Sequence, residues 1–403
     1  MKRKLQDYGR IVDAEKLEQI RAEAEELKGK RLVHINSTWV GGGVAEMLQP
    51  LVLLFNDLGI KTEWRVLHGT IDFFNVTKSF HNALHGADLR LSERKKRIYL
   101  EHNANFAAIS HLDYFDFVVV HDPQPLPLIK FHQKVAPWIW RCHIDLTNPH
   151  PELWSWLLEE FIKKHDRVVL SSEEFKRPEL DLPVDIIRPC IDPLSTKNKY
   201  ISEHVAKKQL SRVGIDLEKP LLVQVSRFDP WKDPLGVIRV FEKVKQHEDC
   251  QLVLCGSFAS DDPEGFKMYN LVKKYEREDI KIILNASDLL VNALQRSATV
   301  VIQKSLREGF GLTVTEALWK GTPVVASKVG GIPLQVINGK TGFLLDPKDE
   351  EGFTKRILEL IRNPALREEL GRAGREWVRQ NFLITNNLHS WLQVLKKTLS
   401  YSI

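Results

Sequence analysis

The sequence is poor in sulfur, with four cysteines and three methionines in 403 residues. Cys142, Cys190, Cys250 and Cys255 show no CxxC spacing. That argues against a zinc ribbon or a disulfide scaffold and predicts reduced core thiols in a cytoplasmic protein. Long apolar runs are missing too. No stretch of about 18 uncharged apolar residues occurs, so no membrane span or membrane partner is expected. The opening MKRKLQDYGR has no apolar segment of the kind a secretory leader needs. Charge of one sign is scarce. A net charge of +5 is too mild to argue for a nucleic-acid partner. The one dense basic run, Ser92 to Arg97, reads as a solvated helix face. There is no GxSxG nucleophile elbow. His81 and His85 stand one helical turn apart in HNALH, but without the glutamate of a zinc protease. They read as a surface or core pair, and no metal site is expected.

What is present is ordinary for a globular chain: 43% hydrophobic and 28% charged residues. The length exceeds what a single core fills, so two domains are expected. Apolar runs of strand length alternate with helical patterns. One series falls at 31–38, 62–68, 115–121, 138–144, 167–172 and 185–191. A second falls at 221–227, 251–257, 280–286, 299–305, 323–329 and 342–346. Between them lie amphipathic segments such as AEMLQPLVLLFNDLG and PELWSWLLEEFIKKHD. Asp233 followed by Pro234 is a helix start, and Gly321 a helix stop. Near-continuous apolar runs mark strands buried on both faces, hence parallel sheets. The fold class is α/β, with two doubly wound Rossmann-like domains. From Asp192 to Lys219 the strand signal lapses and polar residues dominate, as in an interdomain connection. The expected domains are 1–195 and 196–382, with a last helical segment, about 383–403, crossing back onto the first.

Open parallel sheets bind ligands beyond the carboxyl ends of their strands, and three stretches fall there. STWVGGGVAEML places Gly41, Gly42 and Gly43 between the first strand and a helix. Free amides at a helix start favour an anion or a sugar hydroxyl; a ligand-free tight turn is the plainer alternative. A nicotinamide cofactor is disfavoured, because the third glycine of its fingerprint is replaced by Glu46. SRFDPWKDP places Arg227 and Lys232 past the second domain's first strand, a planar fork and a mobile point charge suited to a diphosphate. LREGFGLTVTEALWKG places Glu308 at a strand end. A turn follows whose amides at Phe310, Gly311 and Leu312 open a helix toward a phosphate. Glu316 lies inside that helix. Either glutamate can accept the hydroxyls of a sugar or a ribose. As isolated features, these charges also fit solvated surface positions. Trp138, Trp140, Trp154 and Trp156 could stack on sugars, but in alternating patterns they read as core.

The paired glutamates around a GFG turn resemble the signature of the retaining nucleotide-sugar glycosyltransferases of family 4, which have the GT-B fold. Further motifs agree in order: the glycine turn, VVVHDPQPLPL, RCHID, SRFDPWK and GTPVVASKVGGIPLQVINGKTGFLLDP. Within that family the resemblance is strongest to the trehalose glycosyltransferring synthases. It implies two domains facing across a cleft, an acceptor-binding one first and a nucleotide-sugar-binding one second. It implies a retaining, reversible transfer of glucose from a nucleoside-diphosphate glucose such as UDP-glucose or ADP-glucose to glucose, giving α,α-trehalose. By the same resemblance Arg227 and Lys232 neutralise the leaving diphosphate, Glu308 holds the donor glucose and Glu316 the ribose. His143 sits beside the transferring sugar, and Asp122 and the glycines at 41–43 meet the acceptor. Asn285 and the helix after it are taken to border the base. No cofactor is expected, and no two aspartates stand two residues apart to make the DxD metal clamp of the other main glycosyltransferase fold. A homodimer is the default assembly. Trehalose phosphorylase, another family 4 hexosyltransferase, a GT-B sugar-nucleotide 2-epimerase and a non-catalytic nucleotide-sugar sensor are the alternatives.

Overall fold

The computed structural model describes residues 3–39, 42–257 and 263–400. They divide into two compact units, one running up to Cys190 and resuming at Ile384, the other spanning Ile191–Leu383. Each unit is built on one six-stranded sheet. In the first, β1 (Arg31–Asn36), β2 (Lys61–Val66), β3 (Phe117–His121), β4 (Trp138–Arg141), β5 (Arg167–Leu170) and β6 (Val184–Ile186) lie in the order β2-β1-β3-β4-β5-β6. In the second, β7 (Leu221–Val225), β8 (Gln251–Gly256), β9 (Ile280–Leu284), β10 (Val300–Gln303), β11 (Val324–Ser327) and β12 (Gly342–Leu345) lie in the order β12-β11-β10-β7-β8-β9. Every pairing is parallel. Each apolar run read from the sequence supplies one of these strands, and the doubly wound α/β architecture is present in both units.

Parallel neighbours cannot be joined by tight turns, so helices carry the chain back. The first unit uses α1 (Ala14–Ala24), α2 (Gly43–Asp57), α3 (Ile71–Leu84), α4 (Glu93–Ser110) and α5 (Pro151–Glu160). The second uses α6 (Glu203–Arg212), α7 (Pro234–Lys245), α8 (Pro263–Lys273), α9 (Asp288–Ser297), α10 (Leu312–Trp319), α11 (Ile332–Gln335), α12 (Glu350–Arg362) and α13 (Pro364–Asn381). Then α14 (Ile384–Ser400) rejoins the first unit. Its Trp391 meets the His34 ring edge to face at 5.5 Å, and Asn387 donates to the Arg188 carbonyl at 2.8 Å. Capping follows the local sequence. Asp233 accepts from the Gly236 amide at 3.0 Å, with Pro234 at the first helical position of α7.

The polar stretch 192–219 differs from its expected role as a connection, because it carries α6. Ser202 caps that helix, and its two buried apolar side chains, Ala206 and Leu210, belong to a helix packed on α9. Two buried apolar positions in a ten-residue helix make too faint a period to read from sequence. Trp138, Trp140 and Trp154 are core residues of the first unit, and Trp156 packs half-buried against that core. All four cysteines are buried and unbridged. Among the described residues no helix is long and apolar enough to cross a membrane, and no group of three metal-ligating side chains occurs. His81 and His85 lie at the end of α3 with ring centroids 5.0 Å apart.

Close backbone approach sets one requirement on α13. A Cβ added at Gly371 would lie 2.0 Å from the carbonyl oxygen of Gly321, which terminates α10. Because the obstacle is backbone, a helix must shift to make room. Gly371→Ala is therefore expected to lower the unfolding free energy by about 1–3 kcal/mol. Denaturant titration checks this, and an unchanged midpoint would show that the two helices are not held at that distance in solution.

Candidate active site

In both sheets the chain leaves a strand, builds outward on one side, and later returns to pair on the strand's other side. These reversals fall between β1 and β3 and between β7 and β10. Ligands of open α/β sheets bind at such points, beyond the carboxyl ends. Most of the described residues singled out from the sequence lie past strand ends near these points, and Asn285 does not.

In the first unit the loop after β1 leads to Gly42, the cap of α2 at φ 142°, and to Gly43, the first residue of the helix. Both are solvent-exposed, while Gly41 lies outside the described residues. Past β3, Asp122 adopts a left-handed backbone at φ 62°. The bend turns its Oδ1 to accept the His143 amide at 2.7 Å, tying the β3 end to the loop after β4. Burial pushes the Asp122 carboxyl up to about 6, against the pull of the His143 amide and the Arg141 guanidinium. Arg141 closes β4 and is fully buried. Its Nη2 donates to the Ile187 carbonyl at 2.7 Å and to Ser171 at 3.2 Å. Burial lowers its pKa to about 10, with Asp122 opposing. His143 extends beyond β4; its Nε2 lies 3.0 Å from His121 Nδ1, while its buried Nδ1 has no partner.

In the second unit Arg227 projects from the end of β7, exposed, 3.8 Å from Asp229. Lys232 is mostly buried and pairs with Glu308 Oε2 at 2.5 Å. Ser305 Oγ donates to the same oxygen at 3.2 Å. Thus a cation and a carboxylate expected to serve different parts of a ligand hold each other. Glu308 sits where two backbones nearly touch. A Cβ at Gly330 would fall 1.6 Å from the Glu308 carbonyl oxygen, and the Gly331 amide donates to the Gly309 carbonyl at 3.1 Å. Gly311 then caps α10 at φ 83°. The first turn of a helix leaves its amides without intrahelical partners, so those around Gly311 and Leu312 form a positive end. Phe310 instead turns its ring inward, against Phe382 at 5.8 Å. Glu316 is buried one turn into α10. Gln295 donates to its Oε2 at 3.1 Å, and Lys197 stands 3.8 Å from Oε1. Asn285 lies past β9, exposed, at φ 53°. It is two strands removed from β7 and apart from the Lys232–Glu308 pair.

Several residues of these sites were not singled out from sequence. Lys304, buried at the end of β10, pairs with Asp233. Arg141, His121 and His34 lie under the first unit's site, and Gly330 under the second's. Arg141 and His121 fall inside motifs quoted above, but their partners come from strand register, which spacing alone does not disclose.

Residues 34–177 match the family model described as trehalose synthase, N-terminal domain, and residues 206–377 match glycosyl transferases group 1. The chain is similar to the trehalose synthase of Thermococcus litoralis, at 48% identity over 98% of this chain and 97% of that one. It is similar to that of Rubrobacter xylanophilus at 44% identity over 98% and 97%. A trehalose phosphorylase of Pleurotus pulmonarius is 28% identical over 96% of this chain and 60% of its own. Among solved structures, the α,α-trehalose-phosphate synthase (UDP-forming) of Burkholderia xenovorans shares the fold with a TM-score of 0.72. It is 15% identical and is covered over its whole length by 92% of this chain. A sucrose-phosphate synthase of Thermosynechococcus elongatus gives 0.69 at 18% identity, again over 92% of this chain and 100% of that one. Identity near one half along almost the full length of both chains decides the matter: the protein belongs to the trehalose synthase family of glycosyltransferases, hexosyltransferases of the GT-B fold.

Proposed function

We propose that the protein transfers glucose, with retention and reversibly, from a nucleoside-diphosphate glucose to glucose, forming α,α-trehalose. The observation that carries this reading is the cluster at the β7–β10 switch point. There Arg227 stands beside Asp229, Lys232 pairs with Glu308, and the amide end of α10 opens three residues past Glu308. A diphosphate needs concentrated positive charge as it leaves, and a hexose needs a carboxylate to accept its hydroxyls. The pairing of Lys232 with Glu308 suggests how both are served. An entering diphosphate competes for the ammonium, and the released carboxylate turns to the sugar. Glu316 would hold the ribose through Oε1, whose distance to Lys197 exceeds that of a hydrogen bond. In the first unit, Asp122 and His143 would serve the acceptor and the transferring sugar.

Retention without a free carboxylate nucleophile suits attack from the face the diphosphate leaves. The acceptor hydroxyl forms the new C1–O bond as the old C1–O bond breaks, and the departing phosphate oxygen takes the hydroxyl proton. Trehalose appearing only when a nucleotide-glucose and glucose are both supplied, with a single α-anomeric doublet by NMR from its two equivalent anomeric protons, is the expected result. Product with the nucleotide-glucose alone would overturn the acceptor assignment. Arg227→Ala is expected to lower kcat by about 10²–10³-fold. Unchanged turnover at saturating donor would remove Arg227 from the mechanism. Asp122 accepts a hydroxyl hydrogen most strongly when ionised. Because its pKa is raised to about 6, kcat/KM for the acceptor should fall as pH drops through that value. Asp122→Asn should lose this limb along with most of the rate, and a wild-type profile flat from pH 5 to 7 would contradict the role.

A further inference from the structure

Three histidines form a buried chain under the first unit's site. His34 Nδ1 lies 3.0 Å from His121 Nε2, and His121 Nδ1 lies 3.0 Å from His143 Nε2. Strand register builds it. Ile35 pairs with Val120 and His121 with Arg141. Alternate residues of a strand share a face. His34 stands two residues before the end of β1, His121 at the end of β3, and His143 two residues past β4. The rings therefore step diagonally across three parallel strands toward their carboxyl edge.

Burial holds all three neutral near pH 7: it lowers the pKa of His34 to about 3 and those of His121 and His143 well below the usual imidazole value. The charged groups near the His143 end are Arg141, which further disfavours a proton on His143, and Asp122, bonded to the His143 amide. A neutral imidazole has one N–H and one lone pair. Two bonds in series then force the three rings to point the same way, so the chain has two states. Either every Nε2 carries the proton and His143 Nδ1 is a bare acceptor, or every Nδ1 carries it and His143 is a donor.

Both ends are buried without a hydrogen-bond partner, and the aromatic surroundings of the His34 end decide between them. His34 Nε2 is buried without a hydrogen-bond partner, beside Phe55 stacked at 6.0 Å and Trp391 edge to face at 5.5 Å. An N–H in aromatic surroundings recovers part of its lost bond from π density, whereas a lone pair there recovers nothing. We infer that His34 and His121 are positioning residues that fix His143 as its Nε2–H tautomer and so leave Nδ1, buried in the ligand-free protein, as a lone pair that accepts a hydroxyl of the bound hexose only where binding uncovers it. The ligand in this inference rests on the proposed transfer reaction; the tautomer does not.

The two are tested separately. In the ligand-free, full-length protein labelled with ¹⁵N-histidine, all three rings should appear as neutral Nε2–H tautomers at pH 7, and His143 seen as Nδ1–H would overturn the inference. His34→Phe removes the acceptor at the His34 end, whereas His34→Asn keeps one, its Oδ1 standing close to where Nδ1 was. His34→Phe should therefore mix the His143 tautomers and lower kcat/KM about tenfold, while His34→Asn should restore both. Equal tautomer populations and equal rates in the two variants would also overturn it. If His34→Phe fails to fold, the wild-type spectrum still decides. Wild-type protein with the expected tautomers but no glucose transfer would instead refute the proposed reaction and leave the chain standing.

Discussion

Parallel pairing is the constraint on which everything else in this protein rests. When all strands of a sheet run one way, all their carboxyl ends fall along one edge. Each then continues into a loop that must reach the start of a helix. Strand ends, left-handed turns and helix amino ends are thereby collected side by side. Asp122 and His143 are 21 residues apart in the chain, yet a single 2.7 Å hydrogen bond joins them, because β3 and β4 are neighbours. Lys232 and Glu308 are 76 residues apart and meet for the same reason across β7 and β10.

The polar groups so collected are held by one another. Lys304 pairs with Asp233, which also caps α7 from a left-handed backbone at φ 46°. Lys232 pairs with Glu308, and Glu316 is held by Gln295 with Lys197 nearby. Burying two charges together gains little net stability, but removing one partner of a buried pair costs about 3–5 kcal/mol. Mutual pairing therefore keeps costly groups in place without a ligand.

Legibility in the sequence followed the range of the interaction. Twelve strands were visible as apolar runs of strand length, the central ones buried on both faces and edge strands such as β2 and β6 only in part. Glu308, the GFG turn and Glu316 were visible because a strand, a turn and a helix start are consecutive. The α6 helix was not, since it presents only Ala206 and Leu210 to the core. The contact of Gly330 with Glu308 was hidden because it joins backbones 22 residues apart through a loop closure that leaves no periodic trace. The histidine chain was hidden more deeply. It requires that His34, His121 and His143 share one face and that β1, β3 and β4 be adjacent in a particular register. A slip of one residue would turn any one of them to the opposite face of the sheet.

That sensitivity to register bears on why the histidine chain lies in the first unit's central strands, while the second unit's site is held by ion pairs. A cation–carboxylate pair tolerates displacement, since Coulomb attraction falls slowly with distance. A chain of imidazoles does not, because each link needs a donor facing an acceptor at about 3 Å. Such a chain can be kept only inside a rigid central sheet, where β3 and β4 are buried throughout. At its His143 end Asp122 is the nearby carboxylate, and burial has already brought it close to protonation. The site therefore holds Arg141 as a fully buried cation, with Asp122 as a carboxylate that opposes the loss of its charge. Protonating Asp122 removes that support. The left-handed turn at Asp122 is then the point where backbone shape, charge balance and the orientation of His143 are fixed by one residue.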